Sequence, residues 1–386
     1  MTLRVYIVAG EPSGDALGAR LLGALREGGP VEAAGVGGDL MGREGVASLF
    51  PQAETAVMGL FEVLPRTRRL LRRMDETVAD IMRFRPDAVV TIDSGGFNKG
   101  IARRLIAAGC PAARIHYVAP MVWVWAPGRT RAMARLFDHL MTLWPFEPAL
   151  FERDGLESTF VGHSLVEAAA GDGAAFRTRH GIGPDATVLA VLPGSRSGEV
   201  RRLLPVFRET LERLAGNIPA LHLAVPTVGT VAERVRHAVA GWPWPVTATL
   251  GEEEKQDAFA ASRAALGASG TVALELALAG VPQVTAYRLN RATALIGRAV
   301  VRTRRFCPVN IVLDRPVVPE LVQGDCRPGP LARALGPLLF DEDARAAQLS
   351  AFGELAGMLG GGGRPSLRAA GTVRRIVRET QLSSKR

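Results

Sequence analysis

The sequence predicts an α/β protein built from two doubly wound parallel-sheet units, and three observations carry that prediction. Apolar stretches of strand length alternate with amphipathic stretches of helical length, the rhythm of a parallel sheet covered by helices. The rhythm restarts after a Gly/Ala-rich patch, EAAAGDGAAF, at 167–176. The chain also has 386 residues, more than the roughly 250–300 at which one hydrophobic core stops growing.

In the first unit, expected at 1–168, the strands are RVYIVAG (4–10), DAVVTID (87–93), ARIHYVAP (113–120) and HLMTLWP (139–145). Helical stretches ALGARLLGALRE, NKGIARRLIAAG and GRTRAMARLF follow the first three. In the second, expected at 169–345, TVLAVLPG, ALHLAVPTV, AALGASG and VPQVTAY supply the strands. The tail, 346–386, reads as helix interrupted by GGGG at 360–363, which must turn. Strand ends and helix starts face one crevice in such sheets, so the ligand is expected there.

Composition narrows the function classes. Apolar residues make up 47% and charged residues 22%, which excludes wholesale disorder. Cys110, Cys307 and Cys326 have no metal-ligand spacing and read as reduced thiols of a cytosolic protein. The chain opens on a strand rather than a signal-like segment, and no run of 18 apolar residues occurs. Net charge is +9, and of 47 Lys and Arg only Lys99, Lys255 and Lys385 are lysines. Such an excess suits nucleic acid, a phosphorylated substrate or an anionic membrane, and equally a plain Arg-rich solvated surface. The arginines are spread over many helices with no nucleic-acid module, so a nucleic-acid partner is not expected.

Three loops carry chemistry. GEPSGD (10–15) follows the first strand, but Gly10 and Gly14 lack the G-x-G-x-x-G spacing, and Glu11 and Asp15 would set carboxylates beside a pyrophosphate. A nicotinamide enzyme is therefore disfavoured. A capped turn and a sugar pocket remain open. LPGSRSGEV (192–200) places Gly194, Ser195 and Arg196 before a helix start near Glu199. Amides at a helix N-terminus and a guanidinium suit a diphosphate, while a capping box is the plain alternative. No Walker lysine follows, which speaks against an ATPase. ASGTVALELALAGVP (268–282) sets Ser269, Gly270 and Thr271 at another helix start. Glu275 lies one turn beyond Thr271, where a carboxylate can accept both hydroxyls of a ribose. Together the last two loops point to a nucleoside diphosphate.

MGLFEVLPRTRRLLRRM (58–74) sets Arg69, Arg72 and Arg73 on one helix face and Leu70, Leu71 and Met74 on another. It is either an ordinary amphipathic helix or one resting on an anionic bilayer; ALIGRAVVRTRRF (294–306) has a similar character. Trp123 and Trp125 fall on one side of the extended YVAPMVWVWAPGR (117–129), in the core or against lipid.

Taken in order, AGEPSGD, GVGGDLM, MGLFEVL, YVAPMVWVWAPGR, PFE, FVGHSL, LPGSRSGEV, SGTVALELAL, AYR and NIVLDRPVVPELVQ resemble the lipid-A-disaccharide synthases, glycosyltransferases of the GT-B fold. The resemblance covers most of the chain and implies two Rossmann-like domains facing across a cleft, with the C-terminal helices crossing back. It implies transfer of 2,3-diacylglucosamine from its UDP conjugate to 2,3-diacylglucosamine 1-phosphate, with inversion and release of UDP. The first domain would hold the acceptor, through Glu11, Ser13, Gly14, Met58, Glu62 and Asn98. The second would hold the nucleotide sugar, through Gly194, Ser195, Arg196, Glu199, Ser269, Gly270, Thr271 and Glu275. No cofactor is implied, and no Asp-x-Asp metal motif is present. The protein would work on the cytoplasmic face of the inner membrane, bound peripherally to its anionic surface. Members of the family can exchange C-terminal segments, so a homodimer stands beside a monomer.

One departure matters. The family usually reads I-D-x-P-D-F where this chain has Ile92, Asp93, Ser94, Gly95, Gly96 and Phe97, so the second acid is Gly96. Three explanations are open. Asp93 or Asp15 takes the base role beside Arg196; or the protein is an impaired paralogue that binds UDP-sugar or acylated glucosamine; or it uses a related acceptor. Ala119 and Met121 are smaller departures in the same half. Another GT-B activity, such as UDP-N-acetylglucosamine epimerisation, is the remaining enzymatic alternative.

Overall fold

A computed structural model describes residues 2–55, 63–123, 128–218, 220–288 and 305–383. The chain divides into two compact units, one of residues 1–167 with 358–386 and one of residues 168–357.

In unit 1 the strands are β1 (Leu3–Ala9), β2 (Val31–Val36), β3 (Ala88–Ile92), β4 (Ala113–Tyr117), β5 (His139–Thr142) and β6 (Ser158–Phe160). Its helices are α1 (Pro12–Glu27), α2 (Asp39–Arg43), α3 (Val63–Phe84), α4 (Gly95–Ala107), α5 (Arg129–Ala134) and α6 (Pro148–Glu152). Unit 2 contains β7 (Thr187–Leu192), β8 (Leu221–Thr227), β9 (Val246–Leu250), β10 (Ala264–Ala268), β11 (Gln283–Tyr287) and β12 (Glu320–Val322). Its helices are α7 (Gly173–Arg179), α8 (Ser197–Glu212), α9 (Ala232–Val239), α10 (Glu252–Ala261), α11 (Thr271–Leu278), α12 (Pro308–Val312) and α13 (Pro328–Phe340). Helix α14 (Glu342–Gly360) leads to α15 (Pro365–Ser383) through Gly361 and Gly362, both at positive φ.

Each sheet is parallel, with strand orders β2-β1-β3-β4-β5-β6 and β12-β11-β10-β7-β8-β9. The alternation of side chains builds a core on both faces of each. Along β1, Val5, Ile7 and Ala9 join Leu21 and Leu25 of α1, while Tyr6 and Val8 join Met74 and Ile81 of α3. Along β7, Leu189 and Val191 meet Leu203 and Phe207 of α8, and Ala190 and Leu192 meet Phe259 of α10 and Leu276 of α11. This is the doubly wound arrangement expected of the sequence.

Ala369, Val373 and Ile376 of α15 share the core of Leu21 and Leu25, and Arg364 bridges to Glu27 at 3.1 Å. The C-terminal helix thus packs on its own chain's unit 1. Strands β2, β6, β9 and β12 lie outside the strands expected above, and each is a sheet edge. Edge strands are short and half-solvated, so they lack the continuous apolar run of a central strand.

The basic helix holds its arginines in ion pairs, as an ordinary amphipathic helix would. Arg69 and Arg73 both pair with Glu54, at 2.9 and 2.7 Å, and Arg72 pairs with Glu76 at 2.9 Å. The Arg73 guanidinium also lies 4.6 Å from the Phe50 ring centroid. Met74 is buried, while Leu71 is 43% exposed, so the expected apolar face is divided. Arg73 is shielded by these contacts, while Arg69 and Arg72 keep side chains 64% and 74% exposed on the solvated face. Of the remaining membrane-related stretches, Trp125 and residues 294–304 lie outside the described residues.

Candidate active site

In each sheet the chain reverses its winding at one place, and the two loops flanking that switch point diverge to leave a crevice. In unit 2 the switch lies between β7 and β10. The loop after β7 carries Gly194, Ser195 and Arg196, and the loop after β10 carries Ser269 and Gly270.

Gly194 has φ of +104°, and a Cβ there would lie 2.5 Å from Glu199 Oε2, so glycine is required twice over. Glu199 folds back under the loop. Its Oε2 accepts from the amides of Ser195 and Arg196 at 3.2 and 3.3 Å, and its Oε1 pairs with Arg196 Nη1 at 2.9 Å. This is the capping box that the sequence offered as the plain alternative, with Glu199 taking those two amides. The Arg196 side chain, 71% exposed, still projects from the loop with N–H groups to offer.

A cavity of about 320 Å³ beside this loop is lined by Arg196, Glu199, Thr227, Lys255, Ser269 and Glu275, among others. Thr227 Oγ1 and Ser269 Oγ are buried and make no hydrogen bond among the described residues. Two orphaned hydroxyls are costly unless something enters to satisfy them, at about 1–3 kcal/mol each. Glu275 is held by Lys255 at 2.7 Å, and Lys255 also reaches Glu252 at 2.9 Å. A larger groove of about 590 Å³ runs between α8 and α9, against Val200, Leu204 and Trp242. It holds no loop residue from the strand ends, so the smaller cavity is the better ligand site.

In unit 1 the switch lies between β1 and β3. Gly10 ends β1 so close to the next strand's loop that a Cβ would lie 2.6 Å from Ser94 Oγ. Asp93 and Ser94 both adopt left-handed backbone, with φ of 47° and 43°. Such strain costs on the order of 1–3 kcal/mol per residue and concentrates at functional sites. Asn98 holds the turn: its Nδ2 donates to the carbonyls of Ile92 at 3.0 Å and Asp93 at 2.8 Å. Asn98 Oδ1 and Ser94 Oγ are buried without a partner among the described residues.

Burial raises the Asp93 pKa, partly offset by the Ser94 amide, although the residue keeps an exposed edge. That edge is the side from which a substrate can reach it. Burial, then the neighbouring Asp93 charge, raises Glu11 too. The two carboxylates thus stand near one another at the switch point, with Asp93 accessible to solvent.

Asp15 has another task. Its carboxylate accepts from the amides of Gly38, Leu40 and Met41 at 2.8, 2.9 and 3.0 Å, capping the short helix α2. With both oxygens committed and the residue 4% exposed, it is a structural cap rather than a base. Gly14 packs against Ala9 and Ile92, and Ser13 is exposed. Met58 and Glu62 lie outside the described residues.

Three further groups stand outside the expected site residues. Lys99, half-buried on α4, has its pKa lowered by burial and then by Arg129 and Arg103. Lys255 joins it, so two of the chain's three lysines stand at the two switch points; rarity against so many arginines was the available signal. The third is Glu147, fully buried, where desolvation raises the pKa to about 8. It accepts from Trp123 Nε1 and the Trp144 amide, both at 3.3 Å, tying the loop after β4 to the loop after β5.

Two Rossmann-like units, each with one switch point, are the architecture of the GT-B fold. The family model for lipid-A-disaccharide synthetase matches residues 5–354. The lipid-A-disaccharide synthase of Rhodospirillum centenum is 52% identical over 388 aligned residues, covering 99% of this chain and 97% of that protein. The chain belongs to the lipid-A-disaccharide synthase family. Among solved structures, the UDP-GlcNAc 2-epimerase from Neisseria meningitidis bound to UDP-GlcNAc has a TM-score of 0.62 at 10% identity, covering 99% of this chain and all (100%) of that one. Acinetobacter baumannii MurG has a TM-score of 0.56 at 13% identity, covering 93% and 99%. Those two likenesses establish the fold alone. Among the described residues no helix is long and apolar enough to cross a membrane.

Proposed function

We propose that the protein transfers 2,3-diacylglucosamine from UDP to the 6-hydroxyl of 2,3-diacylglucosamine 1-phosphate, with inversion at the anomeric carbon. The observation that carries this reading is the unit 2 cavity, where Arg196, Glu275 and two orphaned hydroxyls meet at the switch point of a chain in this family. Arg196 stabilises the departing diphosphate, and Ser269 and Thr227 supply hydroxyls that bury with it. Glu275 accepts from the ribose. In unit 1, Asp93 accepts the proton of the attacking hydroxyl, and Glu11 and Asn98 help to seat the acceptor. The charge stabilisation assigned to Arg196 makes the transfer independent of a metal ion. Acylated, anionic substrates place the reaction at the inner face of the inner membrane.

A second reading, an impaired paralogue, draws on Gly96. Among the described residues a Cβ there meets no side chain within 4 Å beyond its chain neighbours, so the place of the family's second acid has room and is left as glycine. A coupled assay for UDP release separates the two. It uses purified protein, both acylated substrates, detergent and EDTA. Equal amounts of UDP and disaccharide are expected. No turnover with intact UDP-sugar binding would favour the impaired paralogue, and UDP release without acceptor would remove the transferase reading.

A further inference from the structure

We propose that Lys255 is a positioning residue that makes Glu275 selective for a vicinal diol, so that the pocket distinguishes ribonucleotides from their deoxy analogues. The role rests on the nucleotide reading of the unit 2 cavity.

Lys255 Nζ lies 2.7 Å from Glu275 Oε2 and 2.9 Å from Glu252 Oε1, so the ammonium is anchored from two sides. Both members of the central pair are largely shielded, with side chains 20% and 16% exposed. Burial alone would lower the Lys255 pKa, but Glu275 and then Glu252 outweigh it and raise the group, keeping it charged. Among the described residues the Glu275 carboxylate pairs with Lys255, through Oε2, and Glu275 lines the cavity. The pair holds the carboxylate from one side and leaves it lone pairs to offer a ligand. A carboxylate is an acceptor only, so what it takes is a pair of donors, and neighbouring hydroxyls of a sugar ring fit.

The ammonium serves a second need. A diphosphate brings at least two negative charges into a cavity that already holds Glu199 and Glu275. Arg196 is shared with Glu199. Without Lys255, Glu275 would repel the ligand it is meant to orient. Arginine would replace this compact charge poorly, because its planar fork would engage both carboxylate oxygens and leave fewer lone pairs for the sugar.

Calorimetry with UDP and 2′,3′-dideoxy-UDP tests the proposal. The unaltered protein is expected to bind UDP at least ~10-fold more tightly than the dideoxy analogue, the scale of a charge-assisted hydrogen bond. Lys255→Met should weaken both ligands through the lost charge, and UDP about 10-fold more than the analogue, closing the gap. In Glu275→Gln the gap closes as well, and the double variant binds UDP no more weakly than Glu275→Gln alone. Should the methionine variant fail to fold, Lys255→Gln is read in the same way. Equal weakening of both ligands, or no change in either, overturns the positioning role. Failure of the unaltered protein to bind UDP overturns the nucleotide reading itself, and is seen before any variant is made.

Discussion

Asp15 and Gly38 are joined by a 2.8 Å hydrogen bond from the Gly38 amide to Asp15 Oδ1, the first of three that fasten α1 to the start of α2. A Cβ at Gly38 would approach Asp15 Oδ2 to 2.6 Å, so the acid and the glycine are matched. Asp15→Ala leaves three amides without their acceptor and should cost about 1–3 kcal/mol. Urea unfolding measures that loss. The pH profile of the remaining activity should keep its shape, and a profile that lost its acid limb would return Asp15 to the chemistry.

Asp93 is the base under our proposal. Asp93→Asn should lower kcat by about 10²–10⁴, the span of general-base contributions. Burial raises the folded pKa of Asp93, as it does that of Glu11, so the base takes up its proton at a higher pH than an ordinary carboxylate does. The acid limb of kcat/KM should therefore lie to the alkaline side of an ordinary aspartate's titration and vanish in the variant. Full activity in Asp93→Asn would remove the assignment.

Gly96→Asp restores the acid usual in the family. With no described side chain beyond the chain neighbours within 4 Å of the added Cβ, and no positive φ at Gly96, the protein should fold with a stability change of less than about 1 kcal/mol. If Asp93 already serves as base, turnover changes by less than about 3-fold. A rise of 10-fold or more in UDP release would show that the natural protein lacks its acid.

Thr227 and Ser269 carry buried hydroxyls with no partner among the described residues. Removing them relieves a desolvation cost in the free protein and removes a bond from the complex. Thr227→Val and Ser269→Ala should each raise stability by up to about 1 kcal/mol while weakening UDP binding about 2–10-fold. Melting curves with and without UDP read both effects. A variant that loses stability without UDP would mean that its hydroxyl is satisfied in the fold.

Glu147 gives a stability test of opposite pH sense from a salt-bridged carboxylate. Its folded pKa, about 8, lies above the ordinary 4.5. Below 4.5 both states are protonated and nothing is gained or lost. Between the two values the unfolded chain sheds a proton that the folded protein keeps, so stability falls as pH rises through this window. The loss by pH 8 should be on the order of a few kcal/mol. Glu147→Gln keeps the acceptor for Trp123 Nε1 and removes the titration. Its melting temperature should equal or exceed that of the natural protein at pH 8, with a flatter dependence on pH.

The sequence by itself determined the class of fold, the eight central strands and the loops that carry chemistry. Buried parallel strands must be continuous apolar runs, and tight strand-to-helix turns must spend glycines such as Gly10 and Gly194. The ordered motifs also pointed to the family that the comparisons support. Tertiary structure alone decided the rest. Strands β2, β6, β9 and β12 exist because a neighbour's ladder completes them, and edge residues need not be apolar. Asp15 and Asp93 look equivalent as acids after a strand, yet one meets three amides from a distant loop and the other is left partly desolvated. Glu199 reads as a ligand and folds back as a brace, while Lys255 reads as one charge in an acidic helix and meets Glu275. Local patterns record what each segment buries. Which polar groups then find one another depends on side chains brought together across the sheet, and no spacing along the chain encodes that directly.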